Sequence, residues 1–404
     1  MNIGIPKERR PFEYRVGLSP AGVEILVNQG HVLFIEHDAG VGAGFIDQQY
    51  EQAGARIVYS PHEAFGRAEL VLKLARPMQE EVEWLNPGTS LMGFLHLASA
   101  RQDRVQSLLQ YKINSIAYEQ IQLADGSKPV LRPLSQIGGQ LAGQIAGRYL
   151  QTNFGGKGIL IGGIAGVPPA EVVIIGGGTA GSNAAKVFSG LGAHVTVLDK
   201  DINALQHVCE RFPQVVTMVA TRRNIERACA YADVVVGAVL VPGERAPIVV
   251  TRENLKKMKP RSLLIDLSID LGGCFETSRP TSHDQPTYID EGMIHYCVPN
   301  VPAMVARTAT YAFVNSAISY ISEIAALGVE KAMQGNPAIE LAVNTFQGEL
   351  LHLQQWNSVE GDLSITCGFR RRSRKGHQFW ESPFYDRKRF GSQDSSGCPG
   401  SACG

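Results

Sequence analysis

The sequence predicts an α/β fold of two domains, each built on a mostly parallel sheet, with a cleft between them. Three observations predict it. The chain has 404 residues, more than a single core usually serves. Roughly its first 130 residues alternate strand-like and helix-like segments. A second alternating stretch runs from about 150 to 300, after a helical segment that crosses between the two.

Each element has its own signal. Asn2-Ile3-Gly4-Ile5 reads as a strand, Ser19 as the cap of a helix with Pro20 in its first turn, and Gly30 as that helix's stop. Strands follow at 31–36, 69–74 and 90–96, the last ending in His96. Ser135 to Tyr149 is helix-like. The second part carries apolar strands at 172–175, 195–198, 233–237 and 263–267, and a short one near Tyr296-Cys297-Val298. From Ala303 to about Leu353 the pattern turns helical, and Thr310 to Leu327 is long and apolar enough to pack back on the first domain. The expected division is 1–134 with 303–353, 135–302, and a tail at 354–404. No internal repeat is visible.

The tail differs in composition. The run Arg370-Arg371-Arg372-Ser373-Arg374-Lys375 precedes Trp380, Phe384, Tyr385 and Phe390, and no amphipathic period crosses it, so disorder is expected. RNA binding is the alternative for basic residues interleaved with aromatics; an appended segment without function is the plainer reading.

Composition excludes several classes. Formal net charge is +0, which gives no bulk attraction to nucleic acid or membrane. The longest apolar stretch, 158–178, contains Pro168, Pro169 and Glu171 and is no clean membrane span. The N-terminus lacks a signal-peptide layout, and the seven cysteines show neither metal nor disulfide spacing. A cytoplasmic protein without a metal centre is expected.

The second domain carries the sharpest motif. Val172-Val173-Ile174-Ile175 runs into Gly176-x-Gly178-x-x-Gly181, with Thr179 and Ala180 opening a helix, and Asp199 ends the next apolar run. Strand, glycines, helix and a carboxylate about 20 residues on form the dinucleotide-binding fingerprint of a Rossmann-like, doubly wound sheet. Gly176 permits a tight turn, Gly178 lets backbone approach a pyrophosphate, and Gly181 lets helix and strand pack closely. The helix N-terminus offers unpaired N–H groups to phosphate. Asp199 can accept hydrogen bonds from a ribose diol and repels a 2′-phosphate, so NAD is the expected cofactor rather than NADP.

Chemistry-bearing residues cluster at predicted strand ends, where open α/β sheets place their sites. Arg15, in the loop after the first strand, could grip a carboxylate or be an exposed surface residue. Lys73 ends a strand and could do likewise or snorkel. His96 could move a proton at neutral pH or be a satisfied structural residue. Asp266 and Asp270 lie at one strand end, before Gly272-Gly273. Together they suit a site that holds an amino or keto acid beside a nicotinamide.

At these residues the chain resembles the alanine dehydrogenase family, which shares its fold with the NAD-binding subunit of proton-pumping transhydrogenase. The resemblance spans about residues 1 to 350. Its motifs are Gly4-Ile5-Pro6-Lys7-Glu8, Glu13-Tyr14-Arg15-Val16, Phe94-Leu95-His96-Leu97-Ala98, Ser115 to Glu119, Gly176 to Gly181, Gly237 to Gly243, Asp266 to Asp270 and Asn300-Val301-Pro302-Ala303. It implies a homohexamer that carries out reversible, NAD-dependent oxidative deamination of L-alanine to pyruvate and ammonia, a step of alanine catabolism. By position, Arg15 would bind the substrate carboxylate, His96 would be the acid/base, and Asp270 would polarise water and orient the imino acid. Ser135, Asp199, Val239, Leu240, Leu267, Ser268, Ile269, Asp270, Val298, Pro299, Asn300 and Val301 would contact NAD.

One departure touches the site. The family shows Lys-x-Lys-x-Pro where this chain has Lys73-Leu74-Ala75-Arg76-Pro77, so Ala75 stands at the substrate-binding lysine. Lys73 points to the same face if the strand is regular, and Arg76 to the other unless the loop turns. Three readings stay open: an active amino-acid dehydrogenase, a transhydrogenase-type subunit with a separate membrane partner, and an NAD-binding relative without turnover.

Overall fold

The computed structural model describes residues 1–97, 100–241 and 245–353; the expectation of a disordered tail lies outside the described residues. Two sheets organise the chain. The first contains β1 (Asn2–Ile5), β2 (Val32–Glu36), β3 (Arg56–Val58), β4 (Leu70–Ala75), β5 (Ser90–Phe94), β6 (Asn114–Ala117), β14 (Val343–Phe346) and β15 (Glu349–Leu350), in the order β15-β14-β6-β5-β4-β1-β2-β3. The second contains β7 (Glu171–Ile175), β8 (His194–Asp199), β9 (Val216–Val219), β10 (Val234–Gly237), β11 (Leu263–Asp266), β12 (Thr287–Asp290) and β13 (Met293–Tyr296), in the order β12-β13-β11-β10-β7-β8-β9.

The sequence shows no repeat, yet both sheets wind alike. Strands β1 to β6 pair in parallel with β1 next to β4, and β7 to β11 with β13 repeat that order with β7 next to β10. Each sheet therefore reverses direction once, between β1 and β4 and between β7 and β10. A crevice opens at the carboxyl ends of the strands at such a point.

The first helix forms as its sequence requires. Ser19 accepts from the Gly22 amide, Pro20 sits in the first turn, and the helix Pro20–Asn28 ends before Gly30 at φ +86°. The helix Ala306–Leu327 buries Ala309, Phe313, Ala317, Ile321 and Ile324 with Ile3, Ile5, Leu72 and Met92, so it packs on the first sheet as its length and apolarity imply. The helix Arg132–Tyr149 lies against Thr179–Gly190, and contact is close: a Cβ on Gly139 would stand 2.1 Å from the Ala180 carbonyl oxygen.

Two readings need correction. The segment after Ala303 is not helical to Leu353. It ends in the hairpin β14–β15, which adds antiparallel to β6, and Ser115 and Thr345 hydroxyls meet at 2.6 Å across that junction. Gln347-Gly348, at φ +50° and +89°, makes the two-residue turn. Strands of four and two residues are too short for period counting. Secondly, β5 stops at Phe94, and His96 lies beyond it at φ +46°. Among the described residues no single helix is long and apolar enough to cross a membrane.

Candidate active site

The fingerprint glycines do what their positions require. Gly176 has φ +107°, and a Cβ there would stand 2.2 Å from the Ala238 carbonyl oxygen of the adjoining strand end. A Cβ on Gly181 would stand 1.7 Å from the Gly176 oxygen, so helix and strand could not meet. Gly178 faces open space. It caps the helix Thr179–Gly190 without a side-chain bond, which leaves the amides of Thr179, Ala180 and Gly181 to an incoming anion. Asp199, at the end of β8, accepts from the Gly177 amide at 2.6 Å and the Asp201 amide at 2.9 Å. The turn is thus braced by the acid that would meet the ribose. The cradle fits a dinucleotide.

The other proposed nucleotide contacts lie on the loops after β10, β11 and β13 and on the helix Arg132–Tyr149. The Val239 amide donates to Ser268 Oγ at 2.9 Å, so the loops after β10 and β11 are tied together. Leu240 is exposed, and Leu267 is half-buried. Ile269, Val298 and Val301 are buried and serve packing first. Pro299 follows Val298 in the loop after β13. Ser135 lies in the first turns of Arg132–Tyr149, its hydroxyl bonded to the Leu131 carbonyl.

Arg15 is buried, and its fork is half spent. Nε and Nη2 donate to the two oxygens of Glu13 at 2.7 and 2.6 Å, and Nη2 also donates to Asn300 Oδ1 at 2.6 Å. Burial works against a charge on Glu13, but Arg15 and the bond from Asn300 outweigh it, and its carboxyl lies below the ordinary range. Asn300, in the left-handed region at φ +56°, donates its own amide to both oxygens of Asp270 at 3.2 and 3.1 Å. One asparagine therefore links Arg15, after the first sheet's β1, to Asp270 of the second sheet.

His96 is partly exposed. Its amide donates to Glu119 Oε1 at 2.6 Å, and its Nδ1 lies 3.8 Å from that oxygen. A histidine at positive φ is a costly backbone state that surrounding contacts must hold. Glu119 holds this one.

Lys73 is not directed at an open site. It is buried, with Nζ 3.0 Å from Glu8 and 2.9 Å from Glu81. Burial opposes its charge, but the two carboxylates raise its pKa. Pairing between β4 and β5 shifts register between Leu72 and Ala75, so the regular-strand argument for a shared face does not apply. Glu8 also accepts from the amides of Leu74 and Ala75, which fixes the strand end at the departure from the family pattern. Asp266 is equally internal. It takes bonds from Ser268, Cys274 and Ser278, and burial raises its pKa against them.

Sequence reasoning missed Glu13, Glu119 and the Glu8–Lys73–Glu81 group. Glu13 had a signal, an acid two residues before Arg15. Glu81 had none, since only folding brings it to Lys73. A groove of about 590 Å³ lined by Met1, Glu69, Ser90 and Asn114 lies at the amino ends of the first sheet's strands, the opposite edge from these residues.

Fold and site together define a two-domain α/β protein whose second sheet is shaped for a dinucleotide and whose first presents a buried arginine to it. Profiles described as "Alanine dehydrogenase/PNT, N-terminal domain" and "Alanine dehydrogenase/PNT, C-terminal domain" match residues 4–138 and 142–353. The chain belongs to the alanine dehydrogenase/PNT family. It is 44% identical over 354 residues to an alanine dehydrogenase of Staphylococcus haemolyticus, covering 87% of this chain and 94% of that one. It is 45% identical to one from Methanococcus maripaludis, covering 87% and 95%. A solved L-alanine dehydrogenase superposes with TM-score 0.85 at 42% identity, covering 88% of this chain and 98% of the other. A transhydrogenase from Sinorhizobium meliloti, at 23% identity and TM-score 0.77 with coverage of 87% and 100%, shares the fold.

Proposed function

We propose that this chain, an NAD-dependent dehydrogenase of that family, deaminates a small L-2-amino acid reversibly to its keto acid and ammonia, L-alanine being the first candidate. The observation that carries the reading is the Arg15–Asn300–Asp270 chain of hydrogen bonds, which sets a carboxylate anchor of one sheet beside an acid of the nucleotide-binding sheet.

NAD, when bound, takes two electrons and a proton from the substrate Cα; Gly176, Gly178, the Thr179–Gly181 amides and Asp199 would hold it. The chain's own residues do the rest. Arg15 Nη1 makes no hydrogen bond among the described residues, so it is the edge that meets the substrate carboxylate. His96 takes a proton from the substrate amine and returns one to the keto oxygen in reverse. Asp270 orients the water that adds to the imino acid, and ammonia leaves from the resulting carbinolamine. Lys73 acts as a positioning residue that holds the strand end through Glu8. The loss of the family lysine at Ala75 lowers turnover of alanine, and this feature also supports the alternative of an NAD-binding relative with little turnover.

We place the domain boundaries at 134/135 and 302/303, and the protein in the cytoplasm as a homohexamer. Leu160, Ile164 and Val167, exposed by 65%, 68% and 55% of their surfaces beside one another in sequence, support an assembled form. The test of the reaction is oxidation of NADH by pyruvate plus ammonium. Consumption that requires both supports it, and consumption with neither cosubstrate present removes it.

A further inference from the structure

Three arginines gather at the carboxyl edge of the first sheet, around position 75. Arg10 lies in the loop after β1, Arg76 follows β4 directly, and Arg104 lies in the first turn of the helix Gln102–Gln110 that follows β5. Strands β1, β4 and β5 are neighbours, so the segments that follow three adjoining strands supply the three side chains. Arg10 Nε donates to the Arg76 carbonyl at 3.0 Å.

These charges are felt and only partly answered. Burial, then the guanidiniums of Arg76 and Arg104, lower Arg10 to about 10, with Glu8 and Glu81 opposing. Burial and Arg104 lower Arg76 as well, and Asp270 opposes them. Among the described residues none of the three forms an ion pair with a carboxylate, and the buried Nε of Arg104 has no hydrogen-bond partner. The carboxylates that reach this region are Glu8, Glu81 and Asp270. The first two are engaged by Lys73, and Asp270 accepts from the Asn300 amide. Half-buried like charges raise the free energy of the empty site, and an anion placed among them lowers it.

Asp270 ties this cluster to the active site. It bonds to Asn300, which bonds to Arg15, and it is the acid whose charge Arg76 feels. Alanine at position 75 leaves more room there than a lysine. We propose that Arg76, with Arg10 and Arg104, receives a second carboxylate, on the side chain of the amino or keto acid whose own carboxylate Arg15 holds. The substrate class is then a short dicarboxylic 2-amino acid and its keto acid. This assignment rests on the dehydrogenase reading above for its reaction, though not for its binding.

The test has a kinetic and a binding arm. The kinetic arm compares kcat/KM for NADH formation with L-aspartate and L-glutamate against L-asparagine, L-glutamine and L-alanine. The binding arm titrates oxaloacetate, 2-oxoglutarate and pyruvate into NADH-loaded protein without ammonium. An acidic substrate should be favoured by roughly tenfold or more, the scale of one charge-assisted contact. In Arg76→Ala and in Arg104→Ala, which relieve repulsion and should fold, the preference should shrink to about threefold or less, on the same scale. Equal or weaker binding of the dicarboxylates, or a preference that both variants keep, overturns the assignment. Alanine turnover without a dicarboxylate preference overturns it and leaves the dehydrogenase reading standing. Dicarboxylate-selective binding without turnover of any amino acid does the reverse.

Discussion

Arg15 Nη2 and Asn300 Oδ1 meet at 2.6 Å although 285 positions separate them in the chain. The Asn300 side-chain amide returns to Glu13 at 2.7 Å, so the three side chains close a ring between the loop after β1 and the loop after β13. That ring fixes the Arg15 guanidinium relative to the nucleotide-binding sheet.

Removing Asn300 should therefore loosen substrate more than nucleotide. Asn300→Gly keeps the φ +56° backbone at no steric cost and loses two side-chain bonds to charged partners, about 1–3 kcal/mol of stability. Asn300→Ala adds backbone strain of about 1 kcal/mol. Both should raise KM for the amino acid roughly tenfold, with NADH affinity changed less. Thermal unfolding and steady-state kinetics check it; a KM unchanged in both variants would separate Asn300 from substrate binding.

The Glu13–Arg15 pair predicts an acid limit. Because the folded Glu13 carboxyl lies below 4.5, it contributes stability that is fully present above about pH 4.5 and lost as pH falls through its folded value. Glu13→Gln leaves Arg15 buried without a counter-charge and should cost about 3–5 kcal/mol at pH 7. Its deficit against the wild type should shrink as pH falls below 4.5. A deficit of the same size at pH 7 and pH 3 would show that the carboxylate charge is not what matters.

Asp199 should set nucleotide choice. Asp199→Ala removes the repulsion of a 2′-phosphate, but also the brace on the Gly177 amide. The expected result is weaker NAD binding and a smaller NAD-over-NADP ratio by fluorescence titration. An unchanged ratio would place discrimination elsewhere.

Positions 73 and 75 should separate structure from chemistry. Ala75→Lys should raise kcat/KM for alanine by roughly ten- to a hundredfold, the value of a charge-assisted bond. Lys73→Ala leaves Glu8 and Glu81 buried against each other and should first lower the melting temperature. A stable Lys73→Ala protein that loses only alanine turnover would return Lys73 to the substrate.

The nucleotide half of the site was legible because its signal is local. Glycines, a helix start and an acid fall within about 30 residues, and backbone geometry requires glycine at 176 and 181. The proposed substrate half was legible by residue type and not by partner. Arg15, His96 and Asp270 could be named, but Glu119 under His96 and Asn300 beside Arg15 are brought in by the turn of the chain through two sheets. Lys73 lies buried between Glu8 and Glu81, and the shared-face expectation did not apply for a physical reason. Alternation along a strand assumes regular pairing, and β4 shifts its register at this point. The hairpin at β14 and β15 escaped because so short a run carries no period, and only the Gln347-Gly348 turn marks it.

The most direct measurement is NADH formation from NAD and a panel of L-amino acids, made on the wild type and His96→Ala together. The account predicts that the wild type forms NADH with equal amounts of ammonia and keto acid, and that His96→Ala lowers turnover by roughly a hundredfold while binding NADH nearly as well. No NADH from any L-amino acid by a wild type that binds NAD, or a His96→Ala enzyme of full activity, would contradict it.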